Sequence, residues 1–145
     1  MEERPGAILL VEDDRDIRES FQDLLELSGF RLQVAENGRQ ALDQLAQDPL
    51  PAVVLLDMML PIVSGNEVLA AMRQSDRLAR VPVVILSTGT RLMDAKDRAR
   101  YASTYGVSAV LPKPVDPVRL LEILHRLIPS AVAPLLPAEE PAAPI

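Results

Sequence analysis

The sequence predicts an α/β fold, a doubly wound sheet of five parallel strands with helices on both faces. Short apolar runs recur along the chain, segments with helical spacing separate them, and the runs end on residues suited to phosphate chemistry. The runs Ala7–Val11, Ala52–Leu56, Val83–Leu86 and Ala109–Leu111 are bounded by turn signals, the pattern of strands buried on both faces of a parallel sheet. Because parallel strands point the same way, the residues that follow them gather along one sheet edge, where ligands of open α/β sheets bind.

Each element follows from local chemistry. After the first run, Ile17, Phe21, Leu24 and Leu25 recur at i, i+4, i+7 and i+8 among charged neighbours, an amphipathic helix that ends at Gly29. Arg31–Ala35 is a second strand, less apolar and therefore nearer an edge. Asn37-Gly38 opens a helix through Ala41, Leu42 and Leu45, which Pro49 and Pro51 stop. Gly65 precedes a third helix carrying Val68, Leu69 and Met72, and Leu92–Tyr105 forms a fourth, closed by Gly106. Asp116 is an N-cap with Pro117 at the first helical position, ahead of Leu120, Leu121, Leu124 and Leu127. Pro112 lacks an N–H and so belongs on an edge strand. Five strand–helix pairs result, and a doubly wound sheet follows from that order.

Composition bounds the function. The 145 residues suffice for one domain, residues 1–128, and the five prolines within 129–145 mark a disordered or extended tail. A net charge of −6 argues against a bulk electrostatic nucleic-acid binder. The chain has no cysteine, which excludes disulfides and thiolate chemistry. Its acidic N-terminus and short apolar runs match neither a signal peptide nor a membrane span, so a cytoplasmic location is expected.

The candidate site lies at the run ends: Glu12-Asp13-Asp14, Asp57, Ser87-Thr88 and Lys113-Pro114. Taken alone, Asp13-Asp14 also reads as an acid cluster favoured by a helix N-terminus, and Ser87 as a turn hydroxyl. Glu12 reads as a solvent-facing or outer acid rather than a ligand. Asp57 is harder to explain blandly, since a lone carboxylate ending an apolar strand costs desolvation unless something compensates it. Lys113 stands out because the chain has thirteen arginines and only two lysines, so a compact ammonium is suggested here. His125, beside Arg126 in the last helix, reads as a surface residue, and Arg91, Lys96, Arg98 and Arg100 as a solvated helix face.

In this order, Asp13-Asp14, Asp57 with Pro61 and Gly65 behind it, Ser87-Thr88 and Lys113-Pro114 resemble the receiver domain of two-component response regulators. The resemblance covers about residues 6–128 and implies the flavodoxin-like, CheY-like strand order 2-1-3-4-5. It implies that Asp57 accepts a phosphoryl group from a phosphohistidine, and that Mg²⁺ is held directly by Asp14 and Asp57, through water by Asp13, and by the backbone carbonyl of Met59. Lys113 and Ser87, with Thr88 beside it, would bind phosphoryl oxygens, and the Lys113-Pro114 peptide bond would be cis. Val110 stands where many receivers carry a Tyr or Phe switch, so the output is expected to run through Ser87 and the segment from Thr88 to Asp94.

The expected role is a signalling module rather than an enzyme. Its partners would be a sensor histidine kinase or a histidine phosphotransfer protein, and a downstream protein that reads the fourth helix, fifth strand and fifth helix, with Arg98 and Val110 on that face. That face is also a possible homodimer surface, and no output domain, DNA contact or membrane contact is expected. Two other classes share parts of the pattern. An Asp-nucleophile phosphohydrolase would need a second carboxylate at position 59, which is Met. A flavodoxin-like cofactor binder would place its phosphate loop after the first strand, where Glu12-Asp13-Asp14 stands instead of Ser87-Thr88-Gly89-Thr90.

Overall fold

The computed structural model describes residues 6–87 and 95–128. Its elements alternate without exception: β1 (Ile8–Val11), α1 (Arg15–Leu27), β2 (Leu32–Ala35), α2 (Gly38–Leu45), β3 (Val53–Asp57), α3 (Gly65–Gln74), β4 (Val83–Ser87), α4 (Ala95–Tyr105), β5 (Ala109–Pro112) and α5 (Pro117–Leu127). The five strands are parallel in the order β2-β1-β3-β4-β5. The two flanking strands are those expected from polarity and from Pro112. The fourth helix was expected to begin at Leu92, and that start lies outside the described residues, as do Thr88 and the tail from 129.

The alternating strand faces divide the core in two. Leu9, Val11, Val54, Leu56, Val83 and Ile85 join Ala41 and Leu45 of α2 and Val68, Leu69 and Met72 of α3. Ile8, Leu10, Val53, Leu55, Val84 and Leu86 join Phe21 and Leu25 of α1 and Leu120, Ile123 and Leu124 of α5. Every residue of β1, β3 and β4 is buried, which explains why those runs carry no polar alternation. With each buried aliphatic side chain contributing roughly 1.5–3 kcal/mol, the three central strands fix the register of the sheet edge.

Helix starts are capped by side chains close to those expected. Asn37, Ser64 and Asp116 accept from the backbone N–H of Gln40, Glu67 and Val118, and Ser64 with Glu67 forms a reciprocal capping box. The cap of α1 is Asp14, whose Oδ1 accepts from Ile17 N–H at 3.0 Å. His125 departs from its expected surface placement. It is half-buried, its ring meets Phe30 edge-on at 5.4 Å, and its buried Nε2 has no hydrogen-bond partner among the described residues. The turn after α1 folds Phe30 back under α5, and the sequence spacing of α5 alone does not reveal that contact.

Arg73, in the last turn of α3, ties two loops together. Its Nε donates to Tyr105 O at 2.5 Å, its Nη1 to Leu78 O, Ala79 O and Val81 O at 3.2, 3.0 and 3.1 Å, and its Nη2 to Gly106 O at 3.5 Å. Burial lowers its pKa below the usual arginine value. Tyr101 adds a second link between α4 and α3, its hydroxyl donating to Asn66 Oδ1 at 2.7 Å.

Candidate functional site

Strand register decides what meets at the sheet edge. Val11 pairs with Leu56, Asp57 with Leu86, and Ser87 with Pro112, so Glu12, Asp57, Ser87 and Lys113 follow or close adjacent strands at one level. Lys113 is held there by its own backbone, whose N–H donates to Ser87 O at 2.8 Å, and the peptide bond to Pro114 is cis as expected.

The chemistry centres on one ammonium between two carboxylates. Lys113 Nζ donates to Glu12 Oε1 at 2.8 Å and to Asp57 Oδ2 at 3.2 Å. Asp57 is 2% exposed and Glu12 1% exposed, so both charges are balanced inside the protein rather than by solvent. The other oxygen of Asp57 accepts from Met59 N–H at 3.0 Å, which fixes the plane of the carboxylate. Burial raises the pKa of Glu12 above the usual glutamate value, and the nearby charge of Asp57 adds to this against the opposing hydrogen bond from Lys113. Burial alone would lower the pKa of Lys113, but its bond to Glu12 and the two negative charges outweigh it and raise the pKa.

Carboxylate oxygens of Glu12, Asp13 and Asp57 lie within 4.8 Å of one another. Three oxygen donors at that spacing suit a hard divalent cation such as Mg²⁺. This grouping differs by one residue from the acids expected from sequence, Asp13, Asp14 and Asp57. Asp14 does not join the group, because the chain has already turned into α1 and its side chain serves as the cap. Glu12, taken from sequence as an outer acid, is instead the most buried member. The signal lay in the spacing of Asp14 to Ile17, which fits a helix cap, while the residue directly after a buried strand is the one that enters the crevice.

The remaining candidates fall around this centre. Ser87 is buried at the end of β4, whereas Thr88 lies outside the described residues. Met59 is 66% exposed beside Asp57, and Val110 is half-buried against the α2–α3 core together with Tyr101 and Tyr105. Arg98 lies within α4, with its side chain outside the description. Two close approaches hold the β3–α3 loop: a Cβ on Gly65 would sit 2.6 Å from Met58 Cα, and one on Gly38 would sit 2.0 Å from Val63 O. Within that loop Ile62 adopts φ 71° and is 77% exposed, a conformation that costs a branched residue roughly 1–2 kcal/mol. Beside Lys113, an apolar groove of about 430 Å³ runs between α1 and the start of α5, lined by Ile17, Phe21, Leu24, Pro114 and Val115.

A profile of the response regulator receiver domain matches residues 8–125. The chain belongs to this family. Among curated relatives, the response regulator Rre1 of Synechocystis sp. is 38% identical over 129 residues, which cover 86% of this receiver and 52% of Rre1. The polar-differentiation response regulator DivK of Brucella anthropi is 32% identical over 127 residues, 88% of this receiver and 99% of DivK. The receiver thus spans about half the length of Rre1 and nearly all of DivK. Among solved structures, the bacteriophytochrome response regulator AtBRR superposes with a TM-score of 0.74 at 33% identity, covering 92% of this receiver and 99% of that chain. The Vibrio cholerae chemotaxis protein CheY4 gives 0.74 at 25% identity, covering 86% and 99%. The receiver is therefore a module of phosphorylation-based signalling, of a family that works with histidine kinases or phosphotransfer proteins. No helix among the described residues is long and apolar enough to cross a membrane.

Proposed function

We propose that Asp57 accepts a phosphoryl group from a phosphohistidine on a kinase or phosphotransfer protein, and that the chain signals by phosphorylation-dependent protein contact. The observation that carries this reading is the buried Asp57 carboxylate, held on one oxygen by Met59 N–H and on the other by Lys113. Such a carboxylate is oriented for in-line attack at no further entropic cost. Lys113 would move with the incoming charge, giving up its bond to Asp57 for a phosphoryl oxygen while Glu12 keeps it in the crevice. Ser87, buried at the next strand end, supplies a hydroxyl on the same edge. The carboxylates of Glu12, Asp13 and Asp57 would hold Mg²⁺, with the backbone carbonyl of Met59 as a further oxygen donor. When bound, that cation offsets the repulsion between the carboxylate and the phosphoryl oxygens.

The groove beside Lys113 suits an apolar face of the phosphodonor protein, since Lys113 borders both the groove and the acceptor. The output face would be α4, β5 and α5, where Val110 replaces a ring by a side chain of short reach. Incubation with acetyl phosphate and Mg²⁺, followed by intact mass measurement, tests the reading. The expected result is one added phosphoryl group that is absent in Asp57→Asn. Equal incorporation in that variant would overturn it, and turnover of a phosphoester without a stable adduct would favour a hydrolase.

The one-residue difference gives a separate prediction. Asp13→Ala is expected to weaken Mg²⁺ binding about tenfold or more, and Asp14→Ala to leave it nearly unchanged while costing about 1 kcal/mol of stability through the lost cap. Calorimetric titration of both variants checks this, and the reverse order would restore Asp14 as the ligand.

A further inference from the structure

We infer that Arg18 is a positioning residue for the acidic site, holding the Glu12–Asp13 backbone so that both carboxylates face the crevice. This rests on the reading above that Glu12, Asp13 and Asp57 bind a divalent cation. Arg18 lies on the second turn of α1, and its side chain is only 12% exposed. Its Nη1 donates to Glu12 O at 3.1 Å and to Asp13 O at 3.5 Å. Its Nη2 lies 3.9 Å from the exposed Glu36 Oε2, too far for a strong pair, so the carbonyl bonds set where the guanidinium points. Glu12 N–H is already bound to Ala35 O at 3.0 Å, so Arg18 supplies the missing restraint on the carbonyl side of the same residue.

Past the last β1 pairing, Val11 with Ala35 and Leu56, the ladder reaches Glu12 through its N–H alone and does not hold the carbonyls of Glu12 and Asp13. Both bonds come from Nη1, so one end of the planar guanidinium bridges two successive carbonyls, and a flexible, rotating ammonium does so less well. A change in such outer partners of a metal site lowers affinity tenfold to a hundredfold.

The sign of the effect separates positioning from simple charge. If Arg18 acted only as a cation beside carboxylates, its removal would strengthen Mg²⁺ binding. If it positions the turn, its removal weakens binding. The experiment titrates Mg²⁺ by calorimetry into the full chain and into Arg18→Gln, Arg18→Lys and Glu36→Gln, with thermal unfolding measured in chelator. The expected result is a dissociation constant about tenfold higher for Arg18→Gln, partly rescued in Arg18→Lys and unchanged in Glu36→Gln. The same variants, treated with acetyl phosphate at saturating Mg²⁺, should recover most of the phosphorylation rate. Unchanged or tighter Mg²⁺ binding in Arg18→Gln would overturn the inference. So would a loss in Arg18→Gln that Arg18→Lys and saturating Mg²⁺ both fail to restore, which would mark a general loss of structure. If the unaltered chain binds no Mg²⁺, the reading of the acidic site fails first, and the two failures are thereby distinguished.

Discussion

Lys113→Ala is expected to destabilise the metal-free protein by about 3 kcal/mol, the cost of leaving a buried charge without its partner. Glu12 and Asp57 are 1% and 2% exposed, and Lys113 is the cation bonded to both. On a fold of this size the loss should appear as a fall of about 10 °C in Tm. Its pH dependence has a definite sign. The pKa of Glu12 is already raised, so the folded state holds its proton to higher pH than the unfolded chain, and stability declines as pH rises through that interval. Without the ammonium the interval widens upward, so the deficit of the variant should grow as pH rises above the ordinary glutamate range. Mg²⁺ should then stabilise the variant more than the parent protein, since it supplies the missing positive charge to the same carboxylates. Thermal unfolding in chelator and in excess Mg²⁺, at two pH values, measures all three effects. An unchanged Tm in chelator would show that the two carboxylates are not held as an ionised pair by Lys113.

Gly65→Ala is expected to act on the acceptor without touching its chemistry. The added methyl would lie 2.6 Å from Met58 Cα and 2.9 Å from Asp57 O, so backbone must move. Overpacking of this kind costs about 1–3 kcal/mol, but the larger consequence is positional. Met59 N–H fixes one oxygen of Asp57 from the same segment that the methyl displaces. A displacement near 1 Å at a reacting group lowers rates by about a hundredfold. The rate of phosphorylation from acetyl phosphate should fall by that order, with far-ultraviolet circular dichroism unchanged. A rate within a factor of three of the parent would show that the loop absorbs the methyl without moving the acceptor.

Much of this arrangement was readable from residue order. Before their last residues the central strands are wholly apolar because both faces are covered, so their ends could be located, and Asp57, Ser87 and Lys113 followed from those ends. The edge position of Pro112 followed from its missing N–H. What sequence could not resolve was a turn of one residue. Three acids in a row differ only in the direction in which the chain turns after Val11, and the helix cap takes the third of them. The contact of His125 with Phe30 was hidden for a related reason, since it joins elements almost a hundred residues apart. Arg18 carried no motif either, because its partners are carbonyl oxygens, which every residue possesses.

The Arg73 anchor restricts how α4 could travel. A translation of the whole helix along or across the sheet would have to break the bonds to Tyr105 O and Gly106 O and the Tyr101–Asn66 bond together. Hydrogen bonds to a charged donor are worth about 1.5–3 kcal/mol each, so that route is expensive. A swing about the Tyr105 end leaves the arginine bonds intact. The helix is thus pinned at its Tyr105 end, and a change of direction breaks fewer of these bonds than a change of distance from the sheet.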